Sequence, residues 1–295
     1  MQRWSALTDE IVPRVNERQL SCLSLHGFHR LSYYEWGDPA NSKVAICVHG
    51  LTRNGRDFDD LALALSSEYR VLCPDVPGRG KSEWLTHPED YSYPVYCADM
   101  AALIARSGAQ TVDWIGTSMG ALIGMLLAAQ PNSPIRKLVM NDVGPFIPKA
   151  SLERLSTYVG KPVSFDSFEA FEQYIRVVSA SFGPLSDAQW RHLAATTARR
   201  GDDGRWGTNY DPAIASPFKV PIADVVLWPF WDPIRCPVLL LRGKESDLLL
   251  SETAREMTTR GPKAKLVEFA GIGHAPMLMA ADQINVVRQF LLGQG

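Results

Sequence analysis

The residues Gly116-Thr117-Ser118-Met119-Gly120 set a serine between two glycines, one two positions before it and one two positions after. An apolar run with Val112, Trp114 and Ile115 precedes them, and the helix-forming stretch ALIGMLLAA follows. A serine at a sharp strand-to-helix turn of this kind is a nucleophile elbow. Side chains at 116 and 120 would collide in so tight a turn, and glycine also tolerates its strained dihedrals. The turn lifts the Ser118 hydroxyl above the sheet edge and aims the Met119 amide at the same spot. That amide sits at the positive end of the helix and can stabilise an oxyanion. The chemistry expected is attack by a serine hydroxyl on an acyl carbon.

A serine hydroxyl needs a base, and the base needs a carboxylate that fixes its tautomer and stabilises its cation. Both are expected after the nucleophile, in the order Ser, Asp, His, each at the carboxyl end of a strand. Of the six histidines, His274 follows the strand-like run 265–269 and precedes the last helical stretch, so it is the expected general base. Asp247, just past the apolar run 237–242, is the expected acid. Its neighbour Glu245 reads as a solvated loop charge, and Asp142, directly after the run 135–141, is the rival acid. The second oxyanion donor is expected from the loop after the first parallel strand, where His49-Gly50 leads to the Leu51 amide. His49 reads as a packed, hydrogen-bonded support. Arg53 and Asn54 are candidates for the border of an acyl pocket, with simple loop polarity as the alternative.

The elements that must position these residues alternate in type. Residues 1–20 read as a polar leader with a short outer helix, and 20–25 and 28–36 as a β-hairpin around His26-Gly27. Run 43–48 is apolar on both faces, as a strand inside a parallel sheet is, and 69–74, 112–115, 135–141, 237–242 and 265–269 read as further strands. Helical spacing falls at 58–66, 93–106, 252–260 and 282–292. Between 144 and 232 this rhythm breaks. No clear strand is visible there; helices are expected at 165–182 and 186–198, then a polar glycine-rich patch at 201–207 and an aromatic, proline-rich run at 210–233. The pattern predicts an α/β fold with one doubly wound, mostly parallel sheet, formed by residues 1–144 and 233–295. Residues 145–232 are then a helical cap over the carboxyl ends of the strands, where such sheets bind ligands. Among its aromatics, Trp190, Trp206, Tyr210 and Trp231 are candidates for the substrate pocket.

Composition excludes several classes. A hydrophobic fraction of 46% and a charged fraction of 21% are ordinary for a globular protein. A net charge of −2 offers no basic field for nucleic acid or an anionic membrane. Asp9, Glu10, Arg14, Glu17 and Arg18 break any signal-peptide core, and no run is apolar enough to span a bilayer. The five cysteines have no zinc-binding spacing and read as free thiols, so a cytoplasmic location is expected. Gly80-Lys81-Ser82 copies the end of a phosphate-binding loop, but Asp75 stands where that pattern needs glycine, which excludes a nucleotide site.

Taken together, His49-Gly50, the loop 75–82, the Ser118 elbow, the loop 243–247 and Gly273-His274 resemble the α/β-hydrolase superfamily over nearly all of the chain outside the cap. The resemblance implies an eight-stranded core, a helical cap between the sixth and seventh strands, and no cofactor or metal. Position by position it gives Ser118 as nucleophile, Asp247 as acid, His274 as base, and Leu51 and Met119 as oxyanion amides. Serine at 118 argues against the dehalogenases and epoxide hydrolases of the superfamily, which use aspartate there. Its carbon–carbon bond hydrolases share the serine, but carry a glycine-proline-glycine stretch and a tryptophan where Leu51-Thr52-Arg53 and Ala275 stand. The function expected is a carboxylesterase-like serine hydrolase acting on a small to medium acyl substrate. Carbon–carbon, lactone or thioester hydrolysis on the same triad is the alternative, and a non-catalytic small-ligand receptor is the alternative of another class. Oligomeric state is left open.

Overall fold

Strands β1 (Asn16–Ser24) and β2 (Gly27–Trp36) form an antiparallel hairpin, with Asn16 opposite Glu35 and Ser24 opposite Gly27. This computed structural model describes residues 15–293. The hairpin edges an eight-stranded sheet of order β1-β2-β4-β3-β5-β6-β11-β12. Its other members are β3 (Val44–Val48), β4 (Arg70–Pro74), β5 (Val112–Thr117), β6 (Ile135–Asn141), β11 (Val238–Gly243) and β12 (Lys265–Phe269). From β4 to β12 every neighbouring pair is parallel.

The apolar runs have a direct packing reason. In β3, Val44, Ile46 and Val48 join one buried cluster while Ala45 and Cys47 join another on the opposite face. The first cluster includes Met100 and Leu103 of helix α2 (Tyr93–Ser107) and Ala121 and Ile123 of α3 (Met119–Ala128). The second includes Leu61 and Leu65 of α1 (Asp59–Leu65). A strand covered on both faces is mostly apolar, because each side chain leaves water, and its buried charges Asp113 in β5 and Lys137 in β6 are hydrogen-bonded.

The sixth and seventh sheet strands in chain order are β6 and β11, and residues 145–232 run between them. Contrary to the sequence reading, this segment has strands. β7 (Phe146–Ile147) pairs with β10 (Val225–Val226), and β8 (Ala198–Arg200) pairs with β9 (Trp206–Thr208). The glycine-rich patch is the turn of the second ladder, closed by Gly201 N–H donating to Arg205 O at 2.8 Å. The segment's helices are α4 (Lys149–Ser156), α5 (Phe168–Val178), α6 (Asp187–Thr197) and α7 (Trp228–Trp231). α8 (Ser251–Thr259) and α9 (Ala281–Leu292) complete the fold. The outer helix expected within residues 1–20 lies outside the described residues up to 14, and from Asn16 onward the chain is strand β1. No helix among the described residues is long and apolar enough to cross a membrane.

Candidate active site

Ser118 stands between β5 and α3 with φ 52° and ψ −116°, a left-handed conformation that a side chain rarely adopts. The glycine requirement has two different causes. A Cβ on Gly116 would strike the backbone of Gly120 and Ala121, whereas one on Gly120 would strike the carbonyls of Val48 and His49 on the neighbouring strand. Only the first is the collision within the elbow expected from sequence. Behind the turn, Trp114 Nε1 donates to Gly120 O at 3.0 Å, and Ser118 N–H donates to Asn141 O at 2.9 Å.

His274 Nε2 lies 3.0 Å from Ser118 Oγ, and its Nδ1 lies 2.8 Å from Asp142 Oδ2. Asp142 is fully buried. Its Oδ1 accepts the Gly243 amide at 2.9 Å, and its Oδ2 also accepts the Ser246 hydroxyl at 2.6 Å. These donors keep the carboxylate pointed at the imidazole. With Nδ1–H donated to the carboxylate, the Nε2 lone pair faces the serine hydroxyl.

Asp247, the acid expected from sequence, is elsewhere. Its carboxylate is exposed and pairs with Arg154 of α4, Nε to Oδ2 at 2.5 Å and Nη2 to Oδ1 at 2.9 Å. Its own carbonyl accepts the Ser151 hydroxyl at 2.6 Å. The loop after β11 therefore anchors the inserted segment, and the loop after β6 carries the carboxylate that reaches His274. The physical reason is sheet order: β6 lies beside β5 and next to β11, and at Asp142 a positive φ of 58° swings the side chain toward the His274 loop. Glu245 is exposed in its loop as expected, and its Oε2 also accepts the Ile272 amide at 2.9 Å, which braces the loop that carries His274.

Gly50 packs against the serine, so that a Cβ there would sit 3.6 Å from Ser118 Cβ. Leu51, next in the chain, and Met119 line the same cavity as Ser118. His49 is fully buried; its Nε2 accepts the Val76 amide at 2.9 Å and its Nδ1 donates to Gly50 O at 2.7 Å. Burial pushes its pKa down to about 3, so it is neutral and fixes the loop that holds Leu51. Sequence reasoning missed Arg79. Fully buried, it donates through Nε to Leu51 O at 2.8 Å and through Nη1 to Tyr96 Oη at 3.0 Å, while Nη2 lies 3.6 Å from Met119 Sδ. One guanidinium thus touches both residues expected to supply the oxyanion amides. Its signal was present in Gly78-Arg79-Gly80, an arginine in a tight loop after a strand. In that loop Asp75 accepts the Gly55 amide at 2.7 Å and the Lys81 amide at 2.8 Å, so a carboxylate fills the place a phosphate would need.

Two cavities meet at Ser118 and Leu51. The smaller, about 130 Å³, mixes polar and apolar walls, with Arg53, Tyr210 and His274 beside Leu155, Ile175 and Phe182. The larger, about 960 Å³, is apolar and is lined by Met119, Leu122, Val143, Ile147 and Phe218. Of the pocket candidates, Arg53 and Tyr210 are in place, Arg53 in a buried two-bond pair with Asp57 at 2.8 and 2.6 Å. The others are not. Asn54 caps the turn at Arg56 and donates to Thr196 O at 3.0 Å, bracing α6. Trp190 stacks on Phe182 in a separate cluster, Trp206 packs edge-on against Phe168, and Trp231 is fully buried with Nε1 donating to Arg260 O at 2.9 Å.

This fold agrees with what the chain is similar to. Residues 45–286 match the model of the alpha/beta hydrolase family. A 3-hydroxybutyrate-oligomer hydrolase of Cupriavidus necator is 48% identical over 283 residues, 93% of this chain and 97% of that protein. A Rickettsia typhi protein described as a hydrolase superposes with a TM-score of 0.89 at 32% identity, covering 96% of this chain and 100% of the other. An alpha/beta hydrolase from Novosphingobium aromaticivorans gives 0.84 at 36% identity, with 95% and 99% covered. The chain belongs to the α/β-hydrolase family.

Proposed function

We propose that this chain is a serine esterase that cleaves short oligoesters of a 3-hydroxy acid, with Ser118, His274 and Asp142 as its triad. The observation that carries the reading is the continuous contact from Ser118 Oγ through His274 to Asp142, at 3.0 and 2.8 Å. Ser118 attacks the ester carbonyl while His274 Nε2 takes its proton, and Asp142 stabilises the imidazolium. The Leu51 and Met119 amides hold the tetrahedral oxyanion. His274 then returns the proton to the leaving alcohol, and a water activated by the same imidazole hydrolyses the acyl-enzyme.

His274 must reach the leaving oxygen, and it lines the smaller cavity. The leaving alcohol therefore occupies that cavity, and the acyl chain occupies the larger apolar one. A 3-hydroxybutyrate oligomer suits this division, since it carries a methyl-bearing carbon and an ester in each unit. The 48% identity to a 3-hydroxybutyrate-oligomer hydrolase supports the same substrate class. The test is hydrolysis of 3-hydroxybutyrate dimer and trimer beside a panel of simple esters, lactones, thioesters and a vinylogous diketone. Release of 3-hydroxybutyrate by wild type and not by Ser118→Ala is expected. Turnover confined to lactones, thioesters or the diketone would overturn the substrate assignment, and oligoester turnover surviving Ser118→Ala would overturn the triad.

A further inference from the structure

At the outer end of the β1–β2 hairpin, two histidines and a glutamate from separate loops meet. His26 sits in the hairpin turn; His87 and Glu89 lie in the loop before α2. His26 Nε2 is 3.7 Å from Glu89 Oε1, and His87 Nδ1 is 3.4 Å from the same oxygen. One ligand atom from each of the three falls within 4.8 Å of the other two. In a tetrahedral zinc site with bonds of about 2.0–2.2 Å, ligand atoms stand roughly 3.3–3.5 Å apart. The cluster is already close to that spacing.

A second feature separates it from a chance meeting of surface side chains. His26 Nδ1 lies 2.9 Å from Asp90 Oδ1, and Asp90 is buried, with Oδ2 accepting the Ser24 hydroxyl at 2.7 Å. Nδ1 therefore carries the proton, and the Nε2 lone pair is turned toward Glu89. A carboxylate behind a histidine is the arrangement that orients metal-binding imidazoles and raises their basicity. The His26 and His87 rings stack with centroids 3.9 Å apart. To share an ion, one ring must tilt out of the stack, and His87, whose side chain is 45% exposed, has room to do so.

We propose that His26, His87 and Glu89 form a three-ligand site for a divalent late transition-metal ion such as Zn²⁺, with Asp90 as the positioning carboxylate. Two imidazoles and one carboxylate suit such an ion and not Ca²⁺ or Mg²⁺, which take oxygen ligands. The fourth position is open to water. Bound metal ties the hairpin turn to a loop that also grips the inserted segment. There Pro88 O accepts the Ser216 hydroxyl at 2.9 Å, and the Tyr91 hydroxyl donates to Asp211 at 2.5 Å. Tyr91 also lines the larger cavity.

The test is calorimetric titration of the chelator-treated full chain with ZnCl₂, repeated with His26→Ala, His87→Ala and Asp90→Asn. Saturable one-to-one binding is expected for wild type. Each ligand variant should bind at least about tenfold more weakly, and Asp90→Asn should lose about tenfold as a change behind the ligand does. Cobalt absorption should show a bound ion without the thiolate charge-transfer band that the buried Cys22, His29 and Asp99 cluster would give. Each variant's unfolding midpoint in chelator should match wild type, and at a fixed zinc concentration wild type should gain more stability than any variant. No zinc binding, or binding retained in both histidine variants, would overturn the site.

Discussion

Asp142 and His274, 132 positions apart in the chain, meet at 2.8 Å, while Asp247 faces away to Arg154. The donors from Gly243 and Ser246 come from the loop that carries Asp247, so that loop holds the Asp142 carboxylate while its own aspartate does not reach His274.

Exchanging each carboxylate for an amide separates the two aspartates. Asp142→Asn removes the charge that stabilises the imidazolium and favours the wrong tautomer, so kcat on an ester should fall about 10⁴-fold. Asp247→Asn removes a largely exposed ion pair and should cost under about 1 kcal/mol of stability, with kcat within a few-fold of wild type. Steady-state kinetics and urea unfolding of both variants check this.

Arg79 should act through the groups it holds. Arg79→Met keeps the bulk but frees the Leu51 carbonyl, so the oxyanion amides lose their fixed placement. We expect kcat to fall about tenfold to a hundredfold with KM little changed. Arg79→Lys should recover little, since one ammonium cannot replace the planar fork. An equal fall in both parameters, or only a lowered unfolding midpoint, would assign Arg79 to folding alone.

How much of this was legible in the sequence depends on how local each cause is. Ser118 and His274 were, because the glycine spacing and the place after the last strand are properties of a few neighbouring residues. The sheet was legible because burial on both faces makes runs such as Val44–Val48 and Val238–Leu241 apolar throughout. The acid was not. β6 and β11 are adjacent, so both strand ends approach His274, and a positive φ at Asp142 decides between them. The aromatics of the inserted segment misled for a related reason. Trp190, Trp206 and Trp231 are apolar wherever they point, and composition does not tell a pocket wall from the interior of the segment.

Acid stability should carry the signature of His49. Its folded pKa of about 3 lies below the ordinary 6.5, so as pH falls the unfolded chain takes up the proton first. The contribution is complete above pH 6.5 and is lost as pH falls toward about 3, at up to about 1.4 kcal/mol per pH unit. Urea titrations from neutral to acid pH should show this slope in wild type and a flatter one in His49→Gln.

The division of the two cavities sets the product pattern. With one unit held on the His274 side and the remaining acyl chain in the apolar cavity, a 3-hydroxybutyrate tetramer should first release monomer and trimer. Esterifying its terminal carboxylate with a bulky alcohol should slow the reaction at least about tenfold, because that end enters the cavity of about 130 Å³. Early-time chromatography of both substrates checks this; dimer as the first product, or no slowing by the terminal ester, would contradict the assignment.

The most direct test of the proposed triad is intact-mass labelling with a fluorophosphonate. Wild type should take one adduct, mapped to Ser118. Ser118→Ala should take none, His274→Ala and Asp142→Asn should label at least about a hundredfold more slowly, and Asp247→Asn should label like wild type. An adduct that persists without Ser118, or labelling that depends on Asp247 and not on Asp142, would contradict it.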